Sequence, residues 1–230
     1  MLSSFRAVFF DAGGTLFHPF PSVGEIYSRV ALGYGCAATA EELEHLFKEA
    51  WLKRDGLAAL VSHSSEKIEK EWWRGLVEEV FSQVGWVRNF PAFFEELYEV
   101  FGRPHVWRLY PETQEVLEEL KRRGKRLAIV SNWDSRLFHL CEGLGLKKYF
   151  DVILASAVFG ASKPSPKIFQ EALRQVSVRP EEAVHIGDSF EDDIRGAQRA
   201  GLEAILIDRS TPPRIFSSTQ TISNLRALIL

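Results

Sequence analysis

Short apolar runs alternate with amphipathic helical patterns along most of the chain. The β-rich runs are AVFFD (7–11), RLAIVS (126–131), DVILAS (151–156), AVHIGD (183–188) and EAILID (203–208). Between the last four runs, apolar residues recur at helical spacing, as they do from Ile168 to Val176. Apolar strands separated by amphipathic helices predict βαβ units and a parallel sheet that is covered on both faces.

Local signals predict where several helices begin and end. Pro111 is expected in the first turn of one helix, which ends near Gly124. Asp134 or Ser135 is expected to cap the next helix, and Ser165 to cap the one that follows. At the C-terminus, ISNLRALIL (222–230) predicts a last helix.

A long helical segment separates the first strand from the second. Lys125 lies 114 positions after Asp11, whereas one crossover between parallel strands needs only about a dozen residues. The segment from Gly24 to Phe101 shows helical periodicity and no convincing strand. We therefore expect an α/β fold with a Rossmann-like core (1–16 and 106–230), a central parallel sheet, and an inserted helical cap (17–105).

Composition narrows the class of partner. The 230 residues are 46% hydrophobic and 26% charged, with a net charge of −3, which disfavours binding to nucleic acid or an anionic membrane. Asp11 interrupts the N-terminal apolar run, which argues against a signal peptide, and no run approaches the ~20 apolar residues of a membrane span. Cys36 and Cys141 lack metal-type spacing and are expected as reduced thiols. We expect a cytoplasmic protein; no feature of the sequence indicates its oligomeric state.

Polar residues follow several of the predicted strands. Asp11 ends the first, Ser131 and Asn132 follow the second, and Asp188 ends the fourth, while Lys163 lies in the loop after the third. If the first strand is central, these strand ends meet at one edge of the sheet. Two carboxylates at one site repel each other unless a cation lies between them, and oxygen ligands suit Mg²⁺. A serine and a lysine beside the metal suit a bound anion, so the pattern indicates phosphoryl chemistry.

These residues also carry a family resemblance. The four ordered motifs resemble those of the haloacid dehalogenase-like hydrolase superfamily: DAGGTL (11–16), SN (131–132), KP (163–164) and GDSFEDDIRGAQRAG (187–201). The insertion between the first two motifs is similar to that of the helical-cap branch. VSNWDSRL (130–137) further resembles one subgroup of the family.

The resemblance implies a Mg²⁺-dependent phosphatase that acts on a small phosphorylated metabolite. By that resemblance Asp11 is the nucleophile, forms an aspartyl phosphate and also binds Mg²⁺. The backbone carbonyl of Gly13 and the carboxylate of Asp188 would be further metal ligands. Asp193 would bind the metal through a water molecule or would contact the residues that hold it.

The same resemblance implies how the phosphoryl group is held. Ser131 and the backbone of Asn132 would bind its oxygens. Lys163 would screen the negative charge that spreads over these oxygens in the transition state.

Gly13 departs from the pattern of the family's phosphatases, which carry a second aspartate at this position as general acid and base. Losing such a group typically costs about 10²–10⁴-fold in rate. The loss is expected to be largest for alkyl alcohols and smaller for aryl or acyl phosphates, whose leaving groups are stable anions. His18, at the start of the insertion, is a candidate replacement acid.

Three alternatives therefore remain open. The first is a phosphatase of reduced or unusual scope. The second is a phosphonatase-like hydrolase, which needs a lysine from the cap to form an imine; the candidates are Lys48, Lys53, Lys67 and Lys70. The third is a catalytically weak or inactive binding or regulatory protein. A haloacid dehalogenase is disfavoured because that reaction needs no metal, whereas GDSFEDD retains the acidic cluster.

Other candidates have simpler structural interpretations. Asp192 is expected to stabilise a helix start, Asp208 to lie in a turn, and His185 to be a buried core histidine. His63 is expected in a solvated break between cap helices. The cap aromatics are expected mainly as core, with some forming an apolar roof over the substrate: Trp72, Trp73, Trp86, Phe90, Phe93, Phe94, Tyr98, Phe101 and Trp107.

Overall fold

A six-stranded parallel sheet forms the centre of the protein. The computed structural model describes residues 2–54, 56–59, 65–213 and 219–230. Its strands are β1 (Ala7–Phe10), β2 (Phe17–Pro19), β3 (Trp107–Leu109), β4 (Arg126–Ser131), β5 (Val152–Ala155), β6 (Ala183–Gly187), β7 (Glu203–Ile207) and β8 (Gln220–Ile222). The sheet has the order β5-β4-β1-β6-β7-β8. This arrangement confirms the predicted α/β class with a central parallel sheet.

The first strand is central, which is the condition that the sequence analysis set for the strand ends to meet. Phe10 lies opposite Ile129 of β4 on one side and opposite Ile186 of β6 on the other. Alternate residues of β1 enter two apolar cores, with Phe10 on one face of the sheet and Phe9 on the other. Helices can therefore cover both faces, and the residues that follow β1, β4 and β6 meet at one edge.

A short antiparallel pair lies at the two ends of the inserted segment. Strands β2 and β3 pair with Phe17 opposite Leu109 and Pro19 opposite Trp107. The sequence analysis did not predict these strands, because three residues are too few to show a periodic pattern. The pair holds the entry and exit of the insertion side by side.

The described part of the inserted segment contains four long helices. They are α1 (Val23–Gly33), α2 (Ala40–Lys53), α3 (Glu66–Phe81) and α4 (Phe90–Phe101). Side-chain oxygens of Ser22, Thr39 and Ser65 cap the first three. These helices pack around their own apolar core, which includes Leu43 and Phe93. The division into a core (1–16 and 106–230) and a cap (17–105) stays a prediction.

The remaining helices flank the sheet. They are α5 (Thr113–Arg122), α6 (Arg136–Gly143), α7 (Ser156–Phe159), α8 (Pro166–Val176), a π-helix (Phe190–Arg195) and α9 (Gly196–Arg199). Ser135 and Ser165 occupy the N-cap positions of α6 and α8. The Ser165 hydroxyl caps α8 as expected, whereas at α6 the oxygen that accepts from the Arg136 N–H belongs to Asp134, the other expected candidate. Pro111 precedes α5 instead of lying in its first turn, because the turn closed by the Thr113 N–H and the Tyr110 carbonyl comes first.

The predicted C-terminal helix over 222–230 is wrong. Ile222 belongs to the edge strand β8, and only a 3₁₀ turn, Leu225–Leu228, follows it. Pairing of Ile222 with Ile207 satisfies the backbone as a strand, while Leu225 and Leu228 are buried in the core. Tertiary contacts therefore overrode the local helical pattern.

Three remaining expectations concern solvent, thiols and membranes. His63 lies outside the described residues. Cys36 and Cys141 are buried free thiols, as expected. Within the described part of the chain, every helix is too short or too polar to cross a bilayer.

Candidate active site

The predicted nucleophile lies at the meeting point of three strands. The backbone N–H of Asp11 donates to the carbonyl of Ile186 at 2.9 Å, so the β1–β6 ladder extends to this residue. On the other side, the Ser131 hydroxyl donates to Oδ1 of Asp11 at 2.8 Å. Asp11 is only 7% exposed. The sheet register thus fixes both the backbone and the side chain of Asp11.

A buried lysine joins two of the acidic residues. Lys163 is 2% exposed, and its Nζ lies 2.6 Å from Oδ1 of Asp11 and 2.5 Å from Oδ1 of Asp193. The same Asp193 oxygen accepts a hydrogen bond from His185 Nε2 at 2.8 Å. Oδ2 of Asp193 accepts one from the Ser189 N–H at 3.0 Å. Asp193 is therefore enclosed by protein donors, whereas Asp188 is exposed and lines a cavity.

Among the described residues, the acidic cluster contains three carboxylates and only one ammonium, that of Lys163. Oxygens of Asp11, Asp188 and Asp193 lie within 4.8 Å of one another. Burial is the main cause that raises the pKa of Asp11. For Asp188, loss of hydration and then the charges of Asp11 and Asp193 raise the pKa to about 8. A divalent cation would relieve this repulsion, and carboxylate oxygens are the ligands that Mg²⁺ prefers, so the donor set fits that ion.

Lys163 and Asp193 are both buried, and their pKa values shift in opposite directions. Burial opposes the charged form of Lys163, yet Asp11 and Asp193 raise its pKa above the ordinary value. Burial also opposes ionisation of Asp193, yet Lys163 and His185 lower its pKa. For His185, burial lowers the pKa and favours the neutral ring. These directions support a fixed lysine–carboxylate pair backed by a neutral histidine.

Two glycines shape the loop after β1 for different reasons. Gly14 has φ +75°, and a Cβ there would lie 2.3 Å from Oδ2 of Asp188. Only glycine suits both that backbone conformation and that space. At Gly13, a Cβ would lie 2.8 Å from Cζ3 of Trp133, whose ring packs against Phe17 with centroids 5.6 Å apart. The indole therefore occupies the space into which a side chain at position 13 would project.

Similarity to known proteins agrees with this geometry. Residues 5–201 match the family described as haloacid dehalogenase-like hydrolase, which is a family of hydrolases. The chain belongs to this family. The match covers most of the chain and confirms the resemblance that the four motifs indicated.

Individual members of the family show the same relationship. Haloacid dehalogenase-like hydrolase domain-containing protein 3 of Bos taurus is 35% identical over 217 residues, covering 90% of this chain and 83% of that protein. Phosphoserine phosphatase of Thermus thermophilus is 35% identical over 183 residues, covering 74% of each chain. A crystal structure of a HAD phosphatase from Thermococcus onnurineus has a TM-score of 0.69 and 28% identity, covering 97% of this chain and 96% of that one.

The motif residue Asn132 contributes a side chain that the sequence analysis did not use. Its Oδ1 accepts from the Lys163 N–H at 2.8 Å, and its Nδ2 donates to the Lys163 carbonyl at 3.0 Å. This pair of bonds holds the backbone that carries the buried ammonium. The predicted role of Asn132 concerned its backbone and stays a prediction.

His18 lies away from the acidic cluster. Its Nδ1 is 2.9 Å from the Pro19 carbonyl oxygen, and its ring lies 4.8 Å from that of Tyr110. His18 is not among the described residues that line the cavity beside Asp11. Its role as a replacement acid stays a prediction, and this placement gives it no support.

Polar contacts missed by the sequence analysis join the inserted helices to the loop after β4. Glu69 of α3 is 1% exposed, and one of its oxygens accepts from the Ser135 hydroxyl at 2.5 Å. Trp73 Nε1 donates to Oδ2 of the fully buried Asp134 at 2.7 Å, and Arg136 donates to the same oxygen at 2.6 Å. The sequence analysis expected Asp134 or Ser135 as a helix cap, and Asp134 also as a minor site candidate near Ser131. It did not predict these contacts, because the long-range partners have no local pattern.

A second missed contact braces the loop after β1. Arg209 donates to the backbone carbonyls of Gly14, at 3.2 Å, and Thr15, at 2.8 Å. It also pairs with the buried Glu112 at 2.8 Å and lies over the ring of Tyr110. No local pattern in the sequence indicates this role of Arg209, because its partners lie 97 to 195 positions away.

Asp208 and Asp192 lie where the sequence analysis expected them. Asp208 is 4% exposed, and its Oδ1 accepts from the Ser210 N–H at 2.9 Å, as in a turn. Asp192 lies in the first turn of the π-helix, where its N–H is capped by the Ser189 hydroxyl. Both placements agree with the structural interpretations of these carboxylates.

A cavity of about 560 Å³ separates the acidic cluster from the inserted helices. This volume is within the usual range for small-molecule sites, about 300–1,000 Å³. Its floor includes Asp11, Ser131 and Lys163, and its roof includes Trp73 and Tyr98 of the inserted segment. Phe93, by contrast, is fully buried in the helical core, while Trp86 is 73% exposed. The cap aromatics thus divide between core, cavity wall and surface.

Proposed function

We propose that this hydrolase is a Mg²⁺-dependent phosphatase that acts on a small phosphorylated metabolite in the cytoplasm. The observation that carries the proposal is the contact of Asp11 with both Ser131 and Lys163, beside Asp188 and Asp193. A nucleophile, two anion-binding donors and a carboxylate cluster that fits a divalent cation are the components of phosphoryl transfer. Relatives named as phosphatases support this reaction class.

The hydrogen bonds of Asp11 suggest which atom attacks. Ser131 and Lys163 both donate to Oδ1, so within the described structure Oδ2 is the oxygen left for bond formation. In the proposed first step, Oδ2 bonds to phosphorus, the bond to the leaving oxygen breaks, and the leaving group departs with the electron pair as an oxyanion. In the second step, a water oxygen bonds to phosphorus and the bond to Oδ2 breaks, returning its electron pair to the Asp11 carboxylate. One water proton stays on the released inorganic phosphate and the other neutralises the departed oxyanion.

The chain's other groups stabilise charge in these steps. The Ser131 hydroxyl and the Lys163 ammonium are placed to bind phosphoryl oxygens, since both already lie at the nucleophile. Mg²⁺ would be held by Asp11, Asp188 and the Gly13 carbonyl, and Asp193 would contact the residues around it. The bound ion would screen the charge of the phosphoryl group. Asp193 orients Lys163, because its two carboxylate oxygens accept from Lys163, His185 and the Ser189 N–H.

The absent acid at position 13 favours a second candidate, a protein that keeps the fold but has little turnover. Trp133 fills the space into which an acidic side chain at 13 would project. Phosphonatase-like chemistry has less support, because Lys48, Lys53, Lys67 and Lys70 pair with glutamates and none lines the cavity. All four lysines belong to the described residues.

The test is hydrolysis of an aryl phosphate with and without Mg²⁺ by the wild type and Asp11→Asn. We expect Mg²⁺-dependent release of phosphate that Asp11→Asn abolishes. Asp192→Asn, one position before Asp193, is the matched control and should retain activity. Acid quenching during turnover should trap phosphate on the wild type as an acid-stable, hydroxylamine-labile acyl phosphate.

If the wild type releases no phosphate in this assay, the phosphatase proposal is contradicted. If Mg²⁺ still binds, measured by calorimetry, and the double variant Gly13→Asp/Trp133→Ala gains activity, the inactive-scaffold candidate is supported. The double variant is needed because an aspartate at 13 would meet the Trp133 ring.

A further inference from the structure

The roof of the cavity is formed by uncharged side chains of the inserted segment. Every described residue of segment 17–105 that lines it is uncharged, and most are apolar or aromatic. The aromatic members include Tyr27, Phe47, Trp51, Trp73 and Phe94. All charged lining residues come from outside this segment, from the strand ends, the loop that carries Lys163, the π-helix and the start of α6. Among them, Arg136 reaches the roof, where it lies over the rings of Trp73 and Tyr98, and its charge is paired with the buried Asp134. The phosphoryl end of the cavity is therefore polar, and the end that would receive the alcohol is aromatic.

Polar substrates would find few hydrogen-bond partners at this end. The indole N–H of Trp73 already donates to Asp134 at 2.7 Å, and that of Trp107 donates to the Phe101 carbonyl at 3.0 Å. A sugar or amino-acid moiety placed here would lose its bonds to water without replacement, which costs free energy for each buried polar group. An aromatic ring gains contact with the walls and loses no hydrogen bonds.

The leaving-group side of the site independently favours the same alcohol. Because residue 13 is glycine, no side chain at that position can protonate the departing oxygen, and Trp133 occupies the space beside it. Without that acid, alcohols that leave as stable anions are favoured. A phenol has a pKa of about 10, against about 15.7 for water, so a phenolate leaves far more readily without a proton than an alkoxide does.

From these two observations we propose that the substrates are monophosphate esters of aromatic, phenol-type alcohols, with the ring in the aromatic end of the cavity beside Trp133. This inference rests on the proposed phosphatase function and names its substrate class. As Oδ2 of Asp11 bonds to phosphorus, the phosphorus–oxygen bond to the ring breaks. The electron pair leaves on the phenolate, which takes a proton from water after release.

The experiment compares three esters on the wild type with Mg²⁺. Phenyl phosphate has the ring and the good leaving group, benzyl phosphate has the ring on an alkoxide, and glycerol phosphate has neither. We expect kcat for phenyl phosphate to exceed that for benzyl phosphate by about 10²-fold or more, as missing proton delivery implies. Benzyl phosphate should nevertheless inhibit phenyl phosphate hydrolysis with an inhibition constant near the KM of phenyl phosphate, and glycerol phosphate should inhibit about 10-fold less well.

An engineered acid tests the second observation. In Gly13→Asp/Trp133→Ala, the phenyl-to-benzyl ratio of kcat should fall at least about 10-fold, because a restored acid helps the alkoxide most. Trp133→Ala alone is the control and should keep the ratio high. A ratio that falls equally in the control would overturn the assignment of leaving-group selectivity to the absent acid. Circular dichroism tests whether both variants fold. If one does not, the comparison of the three esters on the wild type decides the proposal.

Binding separates failure of this inference from failure of the phosphatase proposal. Asp11→Asn is titrated with phenyl phosphate and with glycerol phosphate, followed by tryptophan fluorescence. Preference for phenyl phosphate supports the aromatic cavity even where the wild type hydrolyses no ester. Equal binding of both ligands, or wild-type kcat/KM values within about 10-fold of each other, would overturn the substrate class while leaving Mg²⁺-dependent hydrolysis intact.

Discussion

The strand-end site and the helical roof above it are built by different forces. At the strand ends, Asp11, Lys163 and Asp193 are buried and held by charge-assisted hydrogen bonds of 2.5–2.8 Å. The roof is apolar and packs around its own core, with aromatic centroids 4.7–6.2 Å apart. Directional bonds fix the reacting groups in place, whereas non-directional contacts select by shape and polarity. The two regions should therefore respond differently to substitution.

The largest effect is expected from Lys163→Met. Removing the buried ammonium leaves Asp11 and Asp193 without their counter-charge, which we expect to destabilise the apoprotein by about 3–5 kcal/mol. Urea denaturation measures this free energy of unfolding. The matched control is Lys167→Met, four positions on and exposed at the start of α8, which should change it by less than about 0.5 kcal/mol. Equal stability of the two variants would contradict an electrostatically fixed site.

Next in size is Gly14→Ala, which tests close packing at the acidic cluster. Gly35→Ala is its control, because both glycines have positive φ, +75° and +81°, but nothing lies within 4 Å of a Cβ at Gly35. The backbone contribution, about 1–2 kcal/mol, should be common to both variants. Gly14→Ala should lose about 1–3 kcal/mol more through contact with Asp188, together with Mg²⁺ affinity. Thermal unfolding and calorimetry measure the two quantities.

A smaller effect is expected where the two regions meet. Trp73→Phe removes the hydrogen bond to the fully buried Asp134 and keeps most of the ring, so we expect a loss of about 1–3 kcal/mol in unfolding free energy. Trp72→Phe at the neighbouring position, whose indole makes no such bond in the described structure, should cost less. Chemical denaturation compares them. Matching losses would mean that ring packing, not the bond to Asp134, joins the roof to the loop.

The smallest effect concerns the pH dependence of the Glu112–Arg209 pair, which supports the loop after β1. Burial opposes ionisation of Glu112, but its hydrogen bond from Arg209 lowers the pKa below the ordinary value. The folded state therefore binds this proton less readily than the unfolded state, and the stabilisation is present above about pH 4.5 and lost as pH falls below it. Glu112→Gln should reduce the difference in stability between pH 6 and pH 3.5.

A control isolates this titration from that of other carboxylates. Glu115→Gln, at an exposed residue three positions on in the first turn of α5, should leave the pH profile of unfolding close to that of the wild type. If Glu112→Gln keeps the full acid loss of the wild type, the carboxylate does not act through Arg209. Equilibrium unfolding across the pH range gives both profiles.

The strands of the sheet and the meeting of their ends were predictable because their causes are local. A run such as AVFF is apolar at every position, which is the pattern of a strand buried on both faces. Placing β1 at the centre then brought Asp11, Ser131 and Asp188 to one edge. The motif order also predicted the family, which the comparison confirmed. The roles of these residues in catalysis stay predictions.

Other features escaped prediction because their causes are distant in sequence. The strands β2 and β3 are three residues each, and only their pairing across the insertion makes them strands. The C-terminal segment has a helical pattern, yet pairing with β7 and burial of its leucines decided its conformation. Arg209 and Glu69 bind partners 195 and 66 positions away, so no window of sequence contains either contact.

The sequence by itself determined the alternation of strands and helices, the family, and the set of carboxylates, serine and lysine, since apolar periodicity and motif spacing are properties of neighbouring residues. Only the tertiary structure decided that Trp133 fills the space beside Gly13 and that aromatic side chains enclose the alcohol end of the cavity. Which side chain occupies a given space depends on the packing of residues that the chain brings together from far apart.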